Sequence, residues 1–358
     1  MLAIGVRRLG FACGLVASFA YIGSSMVNDL RILYVTFGLI PGSVFCYYGL
    51  AGIVTLHKWF DKKISLAMAI NFSGIAVGHF AWAPLTSWLV EVYSWRGAVL
   101  VLAAINLHCV AIFALLKTPE EHYGPSYANL TIAKESAGST ESSTAKQKKA
   151  AHRFIPDICR QPSYIAFHML NILFNMSYLV GMSYLPTRYV LDGGTRQTAA
   201  FLQALVGVTM GLLRPVHGLV GDRVSRWRIW IFFVYEGLSG GALVLSALFD
   251  HFAWIATCAA LFASFAAGYV VLTLPTITDL WGRDSVPHIG AHLYVDNAIA
   301  GLVLNPISGL MMDITGEATA PFLLFGTLQV VGVVLGFFLV YNVKRTKTEI
   351  MTTKVETT

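Results

Sequence analysis

The chain has 358 residues, of which 56% are hydrophobic and only 12% charged, and its mean hydropathy is +0.64. That leaves too little polar surface to cover a water-soluble globule, so lipid is the solvent for much of the chain. The net charge of +6 does not signal a nucleic-acid partner, because the basic residues sit between apolar runs instead of forming one stripe.

In chain order, apolar runs fall at Phe11 to Val27, Leu30 to Leu56, Leu66 to Leu89, Gly97 to Leu116, Ser163 to Leu185, Ala199 to Val220, Ile229 to Leu248, Phe252 to Leu280, Ile289 to Met312 and Phe322 to Val343. Each approaches the roughly 20 residues that an α-helix needs to cross a hydrocarbon core of about 30 Å. Barrel strands would be shorter and would alternate, which Leu100 to Leu116 does not. The expected fold class is therefore an all-α polytopic membrane protein of about ten helices. Arg7 and Arg8 before the first run resemble the start of a signal peptide, but further spans follow at once and a first transmembrane helix is the better reading.

Basic residues mark alternate connections: Arg7 and Arg8; Lys58, Lys62 and Lys63; Lys146, Lys148, Lys149 and Arg153; Arg223, Arg226 and Arg228; Lys344, Arg345 and Lys347. The positive-inside rule places these connections, and both termini, in the cytoplasm. Arg96, Arg188 and Arg196 run against it. The cysteines Cys13, Cys46, Cys109, Cys159 and Cys258 lie in or beside spans with no Cys-x-x-Cys spacing, so neither a zinc site nor a disulfide framework is expected.

Four runs precede and six follow a polar segment rich in Ser, Thr, Lys and Glu, which cannot bury enough surface to fold alone. The organisation expected is an N-terminal helical half over 1–116, a disordered cytoplasmic linker over 117–161, a C-terminal six-helix half over 162–343 and a cytoplasmic tail over 344–358. The sequon Asn129-Leu130-Thr131 falls in the linker and stays unglycosylated on this topology. A weak repeat relates the two sides: Pro84-Leu85-Thr86 precedes Glu91-Val92 as Pro306-Ile307-Ser308 precedes Asp313-Ile314, the pattern of parallel repeats in carriers that bind substrate between halves.

The segment Trp59-Phe60-Asp61-Lys62-Lys63-Ile64-Ser65-Leu66-Ala67, with the glycines Gly74 and Gly78 that follow, resembles the motif at the start of the fifth helix in the monocarboxylate transporter family of the major facilitator superfamily. Trp95-Arg96-Gly97, Asn106, Cys109 and Pro119 resemble its fifth-to-sixth helix passage. Arg214-Pro215 with Gly218-Leu219 resembles its eighth helix, and Gly309-Leu310 to Asp313 its eleventh. Aligned so, the first span here matches the family's third helix, and the resemblance implies a facilitator fold truncated by its first two helices. It also implies a symporter-type carrier in the plasma membrane, with a single-span immunoglobulin-like glycoprotein as accessory partner and no cofactor.

Arg214 lies several residues inside its run, where a guanidinium facing mid-bilayer lipid costs from about 3 to more than 10 kcal/mol. It either faces a cavity that receives an anion, since its fork matches a carboxylate bidentately, or snorkels toward the interface near Asp222. The resemblance implies the first, and implies substrate contact for Phe262 and Phe265 as well; a stripe with Tyr269 at that spacing is more often plain packing. Proton-coupled members of the family carry an aspartate one turn before this arginine, where this chain has Met210. Substitute proton or cavity residues are Glu236, Asp279 and Asp296 with Asn297. His79, His108 and His168 match no metal spacing and read as hydrogen-bonded packing histidines. Lys62, Lys63, Asp222 and Arg223 resemble the family's cytoplasmic gating contacts, or simply retain positive charge inside. Gly42, Gly49, Gly52, Gly74 and Gly78 would let helices approach closely.

Three functions follow. The first is a secondary carrier of a small organic anion, a monocarboxylate by resemblance, with a proton as possible co-substrate. The second is a proton-independent facilitator of aromatic or zwitterionic solutes, and the third a transport-incompetent membrane scaffold. An enzyme is not expected, since no nucleophile with base spacing, His-Glu-x-x-His or phosphate loop is found.

Overall fold

A computed structural model describes residues 5–60, 63–117, 161–282 and 285–356; the polar segment with its sequon, Lys62 and Cys159 lie outside the described residues. The ordered elements are α1 (Val6–Met26), a short α2 (Leu30–Leu33) leading through a π-turn into α3 (Ile40–Trp59), α4 (Ile64–Leu115), α5 (Pro162–Leu179), a second π-turn (Val180–Tyr184), α6 (Leu185–Leu191), α7 (Arg196–Arg223), α8 (Arg228–Ser246), α9 (Phe252–Trp281), α10 (Val286–Thr315) and α11 (Ala320–Glu356). The chain is an all-α polytopic membrane protein: nine helical stretches among the described residues are long and apolar enough to cross a membrane, and Ile64–Gly78 is a shorter apolar helix.

The runs read from sequence as third and fourth spans join in α4. Its 52 residues would reach roughly 78 Å if straight, more than twice the hydrocarbon thickness. Ser94 breaks it, with φ 60° and ψ 172°, a conformation that tips the axis sharply because no helical residue adopts it. α11 continues the other way, running helically past the apolar stretch to Glu356.

Two compact units form. One holds Met1–Ile64 and Phe80–Ser142, the other Ser65–His79 and Ser143–Thr358, so the first turns of α4 cluster with the C-terminal helices. In the first unit α1 packs on α3. The Asn106 amide donates to the Gly14 carbonyl at 3.2 Å and to the Ser18 hydroxyl at 2.9 Å, tying α4 to α1. Phe113 sits where a Cβ on Gly10 would lie 2.2 Å from its ring, so the small residue creates the seat.

In the second unit α9 packs on α7 and α8, α8 and α5 pack on α11, and α5 packs on α10. α9 is the central member, burying Ala259, Ala263, Ala266, Ala267 and Gly268. Backbones meet closely where Gly240 of α8 crosses Gly326 of α11, a Cβ on either lying 3.0 Å from the other's carbonyl oxygen. Association in lipid rests on such packing, because apolar burial gives no drive between helices already in hydrocarbon. The glycines named from sequence divide differently: Gly42 and Gly74 have open space around a Cβ, whereas Gly218, which a Cβ would bring to 2.8 Å from Ala69 and 2.9 Å from the Ser65 carbonyl, is the close approach. Large exposed apolar side chains, Leu302 at 76% and Leu212 at 69% among them, form the surface expected toward lipid.

Candidate functional site

Two arginines of the second unit are buried to 1% exposure or less, Arg188 and Arg214, and they are satisfied in opposite ways. Arg188, in α6, donates Nη1 to the Ser246 carbonyl at 2.7 Å and Nη2 to Asp250 at 3.0 Å, and its Nε lies 3.3 Å from Asp192. Two carboxylates close on it. Its charge is neutralised within the protein.

Arg214 has no such closure. α7 starts at a Thr195 cap whose hydroxyl accepts from the Thr198 N–H at 3.2 Å, and Pro215 stands inside the helix directly after Arg214. Proline removes one rung of the ladder and loosens the turn before it, where Gly211 sits. The guanidinium donates Nη1 to the Phe72 carbonyl. Its Nε is buried with no acceptor, and no carboxylate lies within ion-pair distance among the described residues. A fixed cation in a span with an idle donor is an arrangement poised for an anion from outside the protein.

The walls around Arg214 are aromatic and sulfur-bearing. The Tyr178 hydroxyl lies beside the guanidinium and donates to the Met210 Sδ at 3.8 Å. Tyr178 stands just before the π-turn at Val180–Tyr184, a helix irregularity that recurs at functional sites. Gly181 in that turn admits Phe262 of α9, whose ring would lie 2.3 Å from a Cβ there. Phe262 is 6.4 Å from Tyr178, ring to ring, and so belongs to the Arg214 neighbourhood. Phe265 points elsewhere, to Tyr235 at 6.1 Å, whose hydroxyl meets His217 Nδ1 at 2.8 Å, one turn beyond Arg214. Tyr269 is a packing residue, stacked between Phe174 at 3.7 Å and Phe232 at 4.3 Å. Sequence reading missed Tyr178 and His217. His217 stands three residues after Arg214 and so shares its face, but Tyr178 comes from another helix and left no signal.

The candidate gating residues separate in the same way. Asp222 accepts the backbone N–H groups of Ser65 at 3.2 Å and Leu66 at 3.1 Å, capping the start of α4 with a carboxylate where the helix dipole favours one. Gly218, one turn earlier, gives the room for that contact. Lys63 immediately before is exposed in a left-handed conformation, φ 59°, and Arg223 is exposed. Asp279 pairs with Arg228 at 3.3 Å, and Arg228 also donates Nε to the Gly221 carbonyl at 3.1 Å.

Glu236 of α8 is completely buried, and neither carboxyl oxygen has a hydrogen-bond partner among the described residues. Asp296 is buried while Asn297 is exposed. Asp296 Oδ2 receives His168 Nδ1 at 2.6 Å and the Asn171 amide at 2.9 Å, so it partners α5 and not Arg214. His168, read from sequence as packing, thus has a carboxylate partner. Beside it the Tyr164 hydroxyl hydrogen-bonds His292 Nδ1. No group of three or more metal-ligating side chains forms among the described residues.

Comparison with known proteins gives this geometry a setting. The family model described as Major Facilitator Superfamily matches residues 2–280. Monocarboxylate transporter 13 of Rattus norvegicus is 25% identical over 334 residues, 92% of this chain and 72% of the relative. Monocarboxylate transporter 12 of Homo sapiens is 28% identical over 341 residues, 90% of this chain and 66% of the relative. Among solved structures, the human organic anion transporter MFSD10 superposes with a TM-score of 0.66 at 14% identity, over 93% of this chain and 77% of that one. The Escherichia coli fucose:proton symporter FucP does so with 0.66 at 13%, over 93% and 83%. These two bear on fold alone.

Proposed function

The chain belongs to the Major Facilitator Superfamily, and from that premise we propose that it is a secondary carrier of a small organic anion, a monocarboxylate, working by alternating access with Arg214 as the anion clamp. The observation that carries the reading is the contrast between the buried arginines: Arg188 has two carboxylates within ion-pair distance, and Arg214 has none among the described residues, only the Phe72 carbonyl and the Tyr178 hydroxyl. A carboxylate substrate supplies the missing counter-charge and two acceptors in the plane that a guanidinium fork matches. Tyr178 and Phe262 form the adjoining wall and set the size of the group attached to the carboxylate. Relatives named monocarboxylate transporters support the substrate class.

Met210 favours a second reading, a facilitator of aromatic or zwitterionic solutes that moves without protons. A thioether one turn from Arg214 holds no proton, and aromatic rings on two sides would receive an aromatic solute. A membrane scaffold without transport is the third. In this proposal both termini are cytoplasmic, the plasma membrane is the site of action, and a single-span immunoglobulin-like glycoprotein is an accessory partner.

Uptake of radiolabelled L-lactate, creatine and L-tryptophan by cells expressing the chain, with surface biotinylation in parallel, separates the readings. Lactate uptake abolished by Arg214→Ala with surface protein unchanged supports the anion carrier. Tryptophan or creatine uptake that ignores a pH step supports the facilitator. Normal surface delivery with no uptake of any of the three supports the scaffold.

A further inference from the structure

If Met210 removes a proton carrier from beside Arg214, the question is whether titratable chemistry stands elsewhere in the second unit. It does, along the crossing of α5 and α10. On α10, His288, His292 and Asp296 recur every four residues; on α5, Tyr164, His168 and Asn171 recur at four and three. Both sets therefore lie on one face of their helix, and the two faces meet. Tyr164 hydrogen-bonds His292 Nδ1, the Tyr164 and His168 rings are 4.3 Å apart, His168 and His292 are 5.9 Å apart, and His168 Nδ1 reaches Asp296 at 2.6 Å. The ladder starts near the first turns of α5 and α10 and goes about two turns into each helix, roughly 10–15 Å.

Hydrogen-bond chemistry fixes which atom is open. An ionised carboxylate only accepts, and Asp296 Oδ2 already receives the Asn171 amide, so the proton between His168 and Asp296 rides on Nδ1. That leaves Nε2 as the lone-pair nitrogen, and Nε2 is buried with no partner. A carboxylate behind one imidazole nitrogen fixes the tautomer and stabilises the imidazolium formed when the other nitrogen takes a proton.

We propose that His168, positioned by Asp296, is the proton-binding site of this carrier, taking one proton per transport cycle on Nε2 and lying at the inner end of a line formed with Tyr164, His292 and His288. The proposal rests on the carrier reading and supplies its coupling ion. The proton comes from water on the side that the carrier faces, and the pair goes from a net charge of −1 to neutral as it loads. The same proton leaves to water on the opposite side, so no other reactant is consumed. The remaining titratable groups packed against the pair are Tyr269 of α9, with its hydroxyl buried and unpaired, and Glu236 of α8, with both carboxyl oxygens buried and unpaired. α11 brings none between Ala320 and Phe338.

The test uses the full chain in proteoliposomes with radiolabelled L-lactate and an imposed pH gradient. One proton per anion predicts about tenfold accumulation for an inward gradient of one pH unit. That accumulation disappears in His168→Gln and in Asp296→Asn, and persists in His108→Gln, whose exposed ring hydrogen-bonds the Ile105 carbonyl of its own helix. A second readout needs no substrate: nitrogen NMR of histidine-labelled protein in lipid. One imidazole nitrogen signal changes with pH, is missing in His168→Gln, and is altered in Asp296→Asn. Gradient-driven accumulation that survives both substitutions overturns the proposal, as does a His168 nitrogen that does not titrate. Failure of the carrier reading looks different: lactate uptake is absent or survives Arg214→Ala, while the NMR titration still decides the proton site.

Discussion

Replacing Arg214 tests the anion clamp on two axes that oppose one another. A bidentate carboxylate makes two charge-assisted hydrogen bonds, each worth about 1.5–3 kcal/mol. Losing both costs about 3–6 kcal/mol, or roughly a hundred- to ten-thousand-fold in substrate affinity. Arg214→Lys keeps the charge but loses the planar fork, so a decrease of about tenfold or more is expected. Stability moves the other way. The side chain is 1% exposed, beside the Phe72 carbonyl and the Tyr178 hydroxyl, so the folded protein carries a buried cation that no carboxylate among the described residues neutralises. An apolar replacement of similar reach, Arg214→Leu, removes that desolvation cost and leaves the melting temperature unchanged or higher. The assay is concentration-dependent L-lactate uptake in proteoliposomes beside thermal unfolding of the same preparations in detergent. Uptake within twofold of the parent refutes the clamp. So does a marked drop in melting temperature for Arg214→Leu, because that outcome makes Arg214 a structural residue held by the Phe72 carbonyl.

The other buried arginine predicts the reverse. Arg188→Leu strips the Ser246 carbonyl, Asp192 and Asp250 of their donor and lowers stability by about 1–3 kcal/mol, read as a fall in melting temperature with lactate affinity retained in the folded fraction. Asp222→Ala removes the acceptor from two N–H groups at the start of α4 and costs about 1 kcal/mol; Asp222→Asn recovers part of it in thermal unfolding. Gly218→Val drives a side chain into Ala69 and the Ser65 carbonyl, costing about 1–3 kcal/mol. Gly74→Ala meets nothing within 4 Å and leaves folded yield on size-exclusion chromatography unchanged.

The membrane architecture was legible because length and apolarity are local properties that a bilayer leaves no other way to satisfy. What escaped were decisions made by contact. Ser94 breaks α4 by its backbone angles, and serine carries no signal for that. Gly74 and Gly218 look alike in sequence, yet only the second has a backbone pressed against it. Arg214 stood out because a charge inside an apolar run is costly wherever it points. Arg188, equally buried, reads from sequence as an exception to the positive-inside rule, because its counter-charges come from two separate positions, Asp192 and Asp250.

The same distinction bears on the acids. Glu236, Asp279 and Asp296 were indistinguishable as polar residues in or beside apolar runs, and their partners separate them. Asp279 is tied to Arg228, a fixed cation, so protonating it would break an ion pair. Glu236 has no hydrogen-bond donor at either carboxyl oxygen among the described residues, so nothing there stabilises its charge. Asp296 alone has both an amide that holds it as an anion and an imidazole whose far nitrogen remains open. A proton site needs a base that is stable in both states and a path to water. Of the three, Asp296 with His168 meets both conditions, because the four-residue spacing of His288, His292 and Asp296 lays the path along one face of one helix.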